Sequence, residues 1–201
     1  MSLSKSAIKD RSEVSSLDYF LSQKDEHYWS FRGRAKRDHC HSLINYPAMM
    51  VPQMQGELID FFLEQDKNIK SVFDPFVGSG TVLVESMTRG LDFLGIDINP
   101  LAIMACETKA GPFFLNALNQ KWESLKEKIN SDTFGRVDYT FDEADKWFLL
   151  DVQVELCKIR RNIKKIKPKW ARRFFWVAFS DVVRMTCNSR PTTYKLHIKD
   201  E

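Results

Sequence analysis

The 201-residue sequence predicts an α/β fold, helix-rich overall, with a sheet of few strands. Three observations carry that prediction. Residues 70–97 run as a short apolar strand, a glycine turn, a helix, a second strand and an acid. Val72 and Phe73 lead into Asp74, Pro75 and the pair Gly78/Gly80 force a tight turn, and residues 91–96 form a strand with Asp97 at its carboxyl end. From Pro100 to residue 186 the apolar residues repeat mostly at helical spacing. No third segment reads as a confident strand. Strand, glycine turn, helix, strand and acid is the layout of a Rossmann-like nucleotide site. There the N–H groups at the helix start face the ligand and the acid accepts hydrogen bonds from ribose hydroxyls.

Length and composition set the bounds. The chain is long enough for one domain with a real core. Hydrophobic residues make up 43% and charged residues 28%, an ordinary globular balance. No apolar run approaches the roughly 20 residues of a membrane span. Residues 1–11 are polar and lack the apolar centre of a signal peptide, so a cytoplasmic protein is expected. Cys40, Cys106, Cys157 and Cys187 are scattered, with no Cys-x-x-Cys pair, and read as free thiols of a reducing compartment. The net charge of +3 hides an asymmetry: residues 151–201 carry 13 Lys/Arg against 5 Asp/Glu, and residues 1–150 carry 17 against 22. A basic C-terminal third suits a polyanion partner, and a solvated helix face has the same composition.

Taken in order, Ser15 or Ser16 can cap a short helix to residue 23, with Leu17, Phe20 and Leu21 on its apolar side. Residues 24–37 interleave His27, Tyr28, Trp29 and Phe31 with Arg32, Arg34, Lys36 and Arg37. Rings stack on bases and Arg pairs with phosphate, so the segment suits nucleic acid; the same rings suit an arm packed on the domain. His39-Cys40-His41, with His27 upstream, does not supply four ligands at zinc spacing, and no metal is expected. Pro52 fits the first position of a helix whose Met54, Leu58, Ile59, Phe62 and Leu63 share one face. Residues 81–87 form the helix after the glycine turn, with Gly90 as its C-terminal cap.

Pro100 opens another helix that runs to Gly111, with Leu101, Met104 and Ala105 toward the sheet. Residues 113–129 place Phe114, Leu118, Trp122, Leu125 and Ile129 on one helical face, and residues 131–145 are polar and irregular. In residues 151–166, Val152, Leu156, Ile159, Ile163 and Ile166 line one face opposite Lys and Arg. Pro168 starts a last helix to Met185, apolar nearly all round and therefore expected to be buried. Residues 187–198 read as an extended strand or arm.

The chemistry lies in the glycine turn. A phosphate-cradling P-loop needs Lys after its last Gly, where Thr81-Val82 stands, and a dinucleotide fingerprint needs a third Gly where Leu83 stands. That missing Gly and Pro75 in the turn disfavour a nicotinamide dehydrogenase. The run Asp74-Pro75-Phe76-Val77-Gly78-Ser79-Gly80-Thr81, followed by Gly95-Ile96-Asp97-Ile98-Asn99-Pro100, resembles a narrower motif. It is similar to the S-adenosylmethionine motif of the DNA methyltransferases that modify exocyclic amino groups of adenine or cytosine. Tyr46-Pro47-Ala48 ahead of a helix resembles the segment of that family that lies under the methionine half of the cofactor.

The resemblance implies a partial Rossmann-like methyltransferase sheet carrying a large helical insertion, and S-adenosylmethionine as the cofactor. Asp74, Pro75, Phe76, Gly78, Ser79, Gly80 and Thr81 would wrap its methionine and ribose. Asp97 would bind the ribose hydroxyls, Ile98 would lie against the adenine, and Tyr46 and Pro47 would close the methionine side. Lys109 resembles a lysine of close relatives, without a readable role. The implied division is an arm over 1–44, the cofactor-binding Rossmann-like part over 45–111, and the helical insertion with a basic tail over 112–201. DNA is the implied partner, with the basic helices over 158–173 and the segment over 32–37 as candidate phosphate contacts.

Such enzymes also use an (Asp/Asn/Ser)-Pro-Pro-(Tyr/Phe/Trp) loop, which accepts the amino hydrogens and stacks on the flipped base. The seven prolines stand at 47, 52, 75, 100, 112, 168 and 191, none adjacent, so no catalytic residue is assigned. In one of the family's orders the cofactor motif comes first and the loop later. The loop is therefore expected after Glu201, or on a second polypeptide if the enzyme is split; a truncated gene product or an excised piece would give the same sequence. An RNA methyltransferase, or a non-catalytic subunit binding cofactor and DNA, are the alternatives.

Overall fold

A computed structural model of the chain describes residues 16–25, 27–31, 33, 38–47 and 49–189. The chain divides into two compact units, residues 1–35 and 36–201. In the first, α1 (Ser16–Ser22) is followed by a single 3-10 turn over Tyr28–Ser30. Phe20, Tyr28, Trp29 and Phe31 meet edge-on with ring centroids 5.3 to 6.0 Å apart. The Lys24 ammonium sits 4.3 Å from the Tyr28 centroid. These rings pack on one another, the geometry aromatic quadrupoles favour. Arg32, Arg34, Lys36 and Arg37 lie outside the described residues, as does most of the expected C-terminal arm.

The second unit begins with a 3-10 turn over His39–Leu43, then α2 (Pro52–Gln65), β1 (Ser71–Asp74), α3 (Thr81–Thr88), β2 (Asp92–Gly95) and α4 (Pro100–Lys109). There follow α5 (Leu115–Asn130), the short α6 (Ala144–Trp147), α7 (Leu150–Lys164) and α8 (Lys169–Thr186). The strands pair in parallel, Ser71 opposite Asp92 and Asp74 opposite Gly95, with α3 as the crossover. The ladder extends past Gly95: Ile96 N–H donates to Asp74 C=O and Val77 N–H to Ile96 C=O. Gly90, at φ +67, ends α3 as expected. Leu91 N–H reaches Ser86 C=O and Gly90 N–H reaches Met87 C=O, the paired bonds of a left-handed helix end. Among the described residues the sheet has two strands, and no helix is long and apolar enough to cross a membrane. Phe73 and Leu94 share one sheet face and are 56% and 64% exposed. Parallel sheets are ordinarily covered on both faces.

Three helix faces differ from their sequence patterns. In α2 the buried residues are Pro52, Gly56 and Phe61, and Phe62 is exposed. The reason is that α2 meets α3 through polar groups. Arg89 donates to both carboxylate oxygens of Asp60 at 2.6 and 2.7 Å and to Glu85 at 2.7 Å, and Glu85 holds the buried His41 at 2.9 Å. A Cβ at Gly56 would come within 2.6 Å of the Arg89 and Glu85 side chains, so apolar periodicity misses this contact. In α4, Leu101, Met104 and Ala105 pack with Ile44, Tyr46 and Val177 rather than on the sheet; Cys106 and Ile103 take the place beside Val77 and Leu83. In α8 only Ala171, Phe175 and Val177 are buried, while Met185 and Val182 are exposed, because α4 and α7 cover one side of it. The helical core itself, Leu118 and Leu125 of α5, Ile163 of α7 and Ala171 and Phe175 of α8, follows the expected stripes.

The ion-pair lattice makes acid stability predictable. Arg89 holds the Asp60 carboxyl below its ordinary range. For Glu85 burial pushes upward, and hydrogen bonds from His41 and Arg89 outweigh it, leaving it lowered as well. A carboxyl depressed in the folded state stabilises fully above its unfolded pKa of about 4, and the contribution is lost as pH falls through the folded value. Thermal melts should hold steady down to about pH 5 and drop below about pH 4. Glu85→Gln should flatten part of that acid limb; an unchanged limb would show that the lattice does not govern it.

Candidate functional site

The turn between β1 and α3 has most of its backbone polar groups tied down. Asp74 closes its own carboxylate onto it, Oδ1 accepting from Phe76 N–H at 2.9 Å. Gly78, at φ +48, and Gly80, at φ +75, are left-handed, a conformation glycine adopts without Cβ strain. Gly80 N–H donates to Val77 C=O at 2.8 Å. Gly78 C=O faces the Cys106 thiol at 3.7 Å, and Ser79 C=O accepts from Lys109 Nζ at 2.7 Å. Ser79 and Thr81 are buried, with their hydroxyls 3.2 Å apart. The amides that open α3 stand in the first turn of a helix, where N–H groups lack intrahelical acceptors.

The acid after β2 reaches across to this turn. Asp97 Oδ2 accepts from Gly78 N–H and Oδ1 from Asn99 N–H, both at 2.8 Å. A carboxylate offers about four lone-pair sites, so two remain for outside donors. Tyr46 also arrives: its hydroxyl accepts from Asn99 Nδ2 at 2.9 Å, and its ring edge would lie 3.9 Å from a Cβ on Gly78. Pro47, beside it, is exposed, as is Pro75. Phe76 and Ile98 flank the turn at 84% and 98% exposed, two large apolar side chains in water. Asp74 Oδ2 is the opposite case: it is buried and has no hydrogen-bond partner. A buried unpaired carboxylate oxygen is unfavourable unless a cation or donor reaches it.

Asn99 and Cys106 went unassigned by sequence reasoning. Asn99 caps α4 by accepting from Leu101 N–H at 3.0 Å and binds Tyr46 with the same side chain. Asn just before Pro at the first helical position is a legible cap signal, and the Tyr46 contact is tertiary. Burial pushes the Cys106 thiol up to about 11, which keeps it protonated and inert at neutral pH. His41 is engaged by Glu85, and no metal-binding cluster occurs among the described residues. In the basic helices, Arg161 pairs with Asp132, Arg173 with Glu107 and Lys158 with Glu155, while Lys164, Lys165, Lys167 and Lys169 stand exposed around the α7–α8 turn. An open groove of about 800 Å³ lies away from the glycine turn, beside Leu149, Leu150, Leu156 and Val182. Its lining is mostly apolar, with Asp151, Glu155 and Thr186 as its polar members.

Two curated proteins match this geometry's sequence. The chain is 32% identical over 200 residues to the Type II methyltransferase M.MvaI of Kocuria varians, a match over 89% of this chain and 44% of that protein. It is 27% identical over 135 residues to the Type II methyltransferase M.MjaII of Methanocaldococcus jannaschii, over 62% of this chain and 25% of that protein. The chain therefore spans less than half the length of either relative. No family model matches the chain, and no solved structure matches it.

Proposed function

We propose, on the premise that this chain is a homologue of Type II methyltransferases, that it is the S-adenosylmethionine-binding portion of a DNA methyltransferase acting on an exocyclic amino group of adenine or cytosine. The observation that carries the reading is the glycine turn bracketed by two carboxylates, Asp74 at its start and Asp97 across it. The residues present fit the cofactor. Asp74 Oδ2, buried and unpaired, suits the ammonium of the methionine part. Asp97 has acceptor capacity left for two ribose hydroxyls, and Ile98 and Phe76 offer apolar surface to a flat base. Gly78 leaves its outer side open, with nothing nearer than 3.8 Å to a would-be Cβ. Tyr46 closes one edge.

S-adenosylmethionine supplies an electrophilic methyl on a sulfonium. This chain's own contribution is to bind and orient: Asp74 and Asp97 fix the two polar ends, and α3 and α4 hold the turn between them. Positioning of this kind supplies much of the rate in a direct transfer. The loop that would hold the target base lies in the portion outside these 201 residues, whether on the same polypeptide or a partner. Supporting this are the absence of adjacent prolines and the bare sheet face at Phe73 and Leu94. The exposed lysines around residues 164–169 are the phosphate contacts, since Arg161 and Arg173 already hold carboxylates.

Calorimetry with S-adenosylmethionine tests the reading. Binding in the micromolar range is expected, and no heat at high micromolar concentration from folded protein would refute the site. The same preparation should transfer no labelled methyl to DNA; clear incorporation would overturn the incompleteness.

A further inference from the structure

Among the described residues the largest fully buried side chain is a cation: Lys109, 1% exposed. Taking an ammonium out of water is unfavourable unless protein dipoles replace the water. Burial pulls the Lys109 pKa down. Its hydrogen bond goes to Ser79 C=O at 2.7 Å.

That carbonyl and the N–H of Gly80 belong to one planar peptide unit. The plane is held from both ends, by Lys109 at the oxygen and by Val77 C=O at the N–H, 2.8 Å away. Gly80 is the residue at which the plane can rotate, because glycine populates both hands of backbone space. Cys106, one turn before Lys109 on α4, faces the neighbouring Gly78 carbonyl, so a single helix face underlies the whole turn. Asn99 at the other end of α4 ties the same helix to Tyr46.

We propose that Lys109 is a positioning residue of this site: its buried ammonium holds the Ser79 carbonyl and locks the peptide unit whose rotation would dismantle the glycine turn. The lock is a property of the free protein. Its consequence for affinity rests on the cofactor reading above.

The test is Lys109→Met in this chain, followed by NMR of labelled protein and by calorimetry with S-adenosylmethionine. The Ser79 carbonyl carbon and Gly80 amide signals should move, and Gly80 amide exchange should quicken about tenfold, while signals from α5 and α7 stay in place. Cofactor Kd should weaken about tenfold. Ser79 and Gly80 signals unchanged from wild type would overturn the lock. Moved signals with unchanged Kd would overturn its role in binding. If Lys109→Met does not fold, the wild-type protein decides: the Ser79 carbonyl shift should follow the Lys109 Nζ titration, and a shift that ignores it overturns the proposal. Wild-type protein with these turn signals but no cofactor binding would sink the cofactor reading and leave the lock standing.

Discussion

Replacing Gly80 with alanine is expected to destabilise the protein by about 2–5 kcal/mol, measured by urea denaturation. Two effects add. An L-residue at φ +75 costs about 1–2 kcal/mol because its Cβ crowds the backbone. The new Cβ would also sit 2.8 Å from Cys106 Sγ, and overpacking of this kind costs about 1–3 kcal/mol. The two parts are separable. Gly78→Ala carries only the backbone strain, since nothing lies within 3.8 Å of its Cβ position, so its loss should be the smaller. Adding Cys106→Ala to Gly80→Ala should recover part of the packing loss, a coupling expected of groups in contact. Equal stability of the Gly80→Ala and wild-type proteins would show that the turn is not packed as described.

Asp97→Ala is expected to weaken S-adenosylmethionine binding by ~1–3 kcal/mol, the range for losing a charged acceptor. By calorimetry that is about fivefold to 150-fold in Kd. Its effect has two sources. The variant loses the acceptor offered to the ribose, and it releases the Gly78 and Asn99 N–H groups that Asp97 now holds at 2.8 Å. Asp97→Asn separates them in part: the amide keeps one acceptor oxygen and should lie between wild type and alanine. A Kd that Asp97→Ala leaves unchanged would remove Asp97 from the site.

Much of this site was legible in the sequence because it is local. Asp74, Gly78, Gly80 and Thr81 sit within eight residues, and glycine at that spacing forces the same turn whatever surrounds it. Asp97 was legible from its place at the end of the second strand. The parallel pair, the α3 crossover and its Gly90 cap follow from the same local signals. Less legible were contacts made by side chains far apart in sequence. The pairing of Arg89 with Asp60 turned α2 so that Phe61 is buried and Phe62 is not. The uneven covering of α8 left Met185 in water, although its apolar run suggested full burial. Periodicity reports which residues could be inside; the neighbours present decide which are.

Charge followed the same division. Composition showed a basic C-terminal third, and only the fold showed that Arg161 and Arg173 already face Asp132 and Glu107. Lys109 makes the point most sharply. As a letter in the sequence it is one basic residue near a helix end, where a lysine is ordinarily solvated. The sequence alone determined the glycine turn and its flanking acids, because those depend on backbone sterics and nearest-neighbour chemistry. Tertiary structure alone decided that a buried ammonium lies beneath the turn and that Asp97 crosses to Gly78, because such contacts exist only once α4 and the strands have packed.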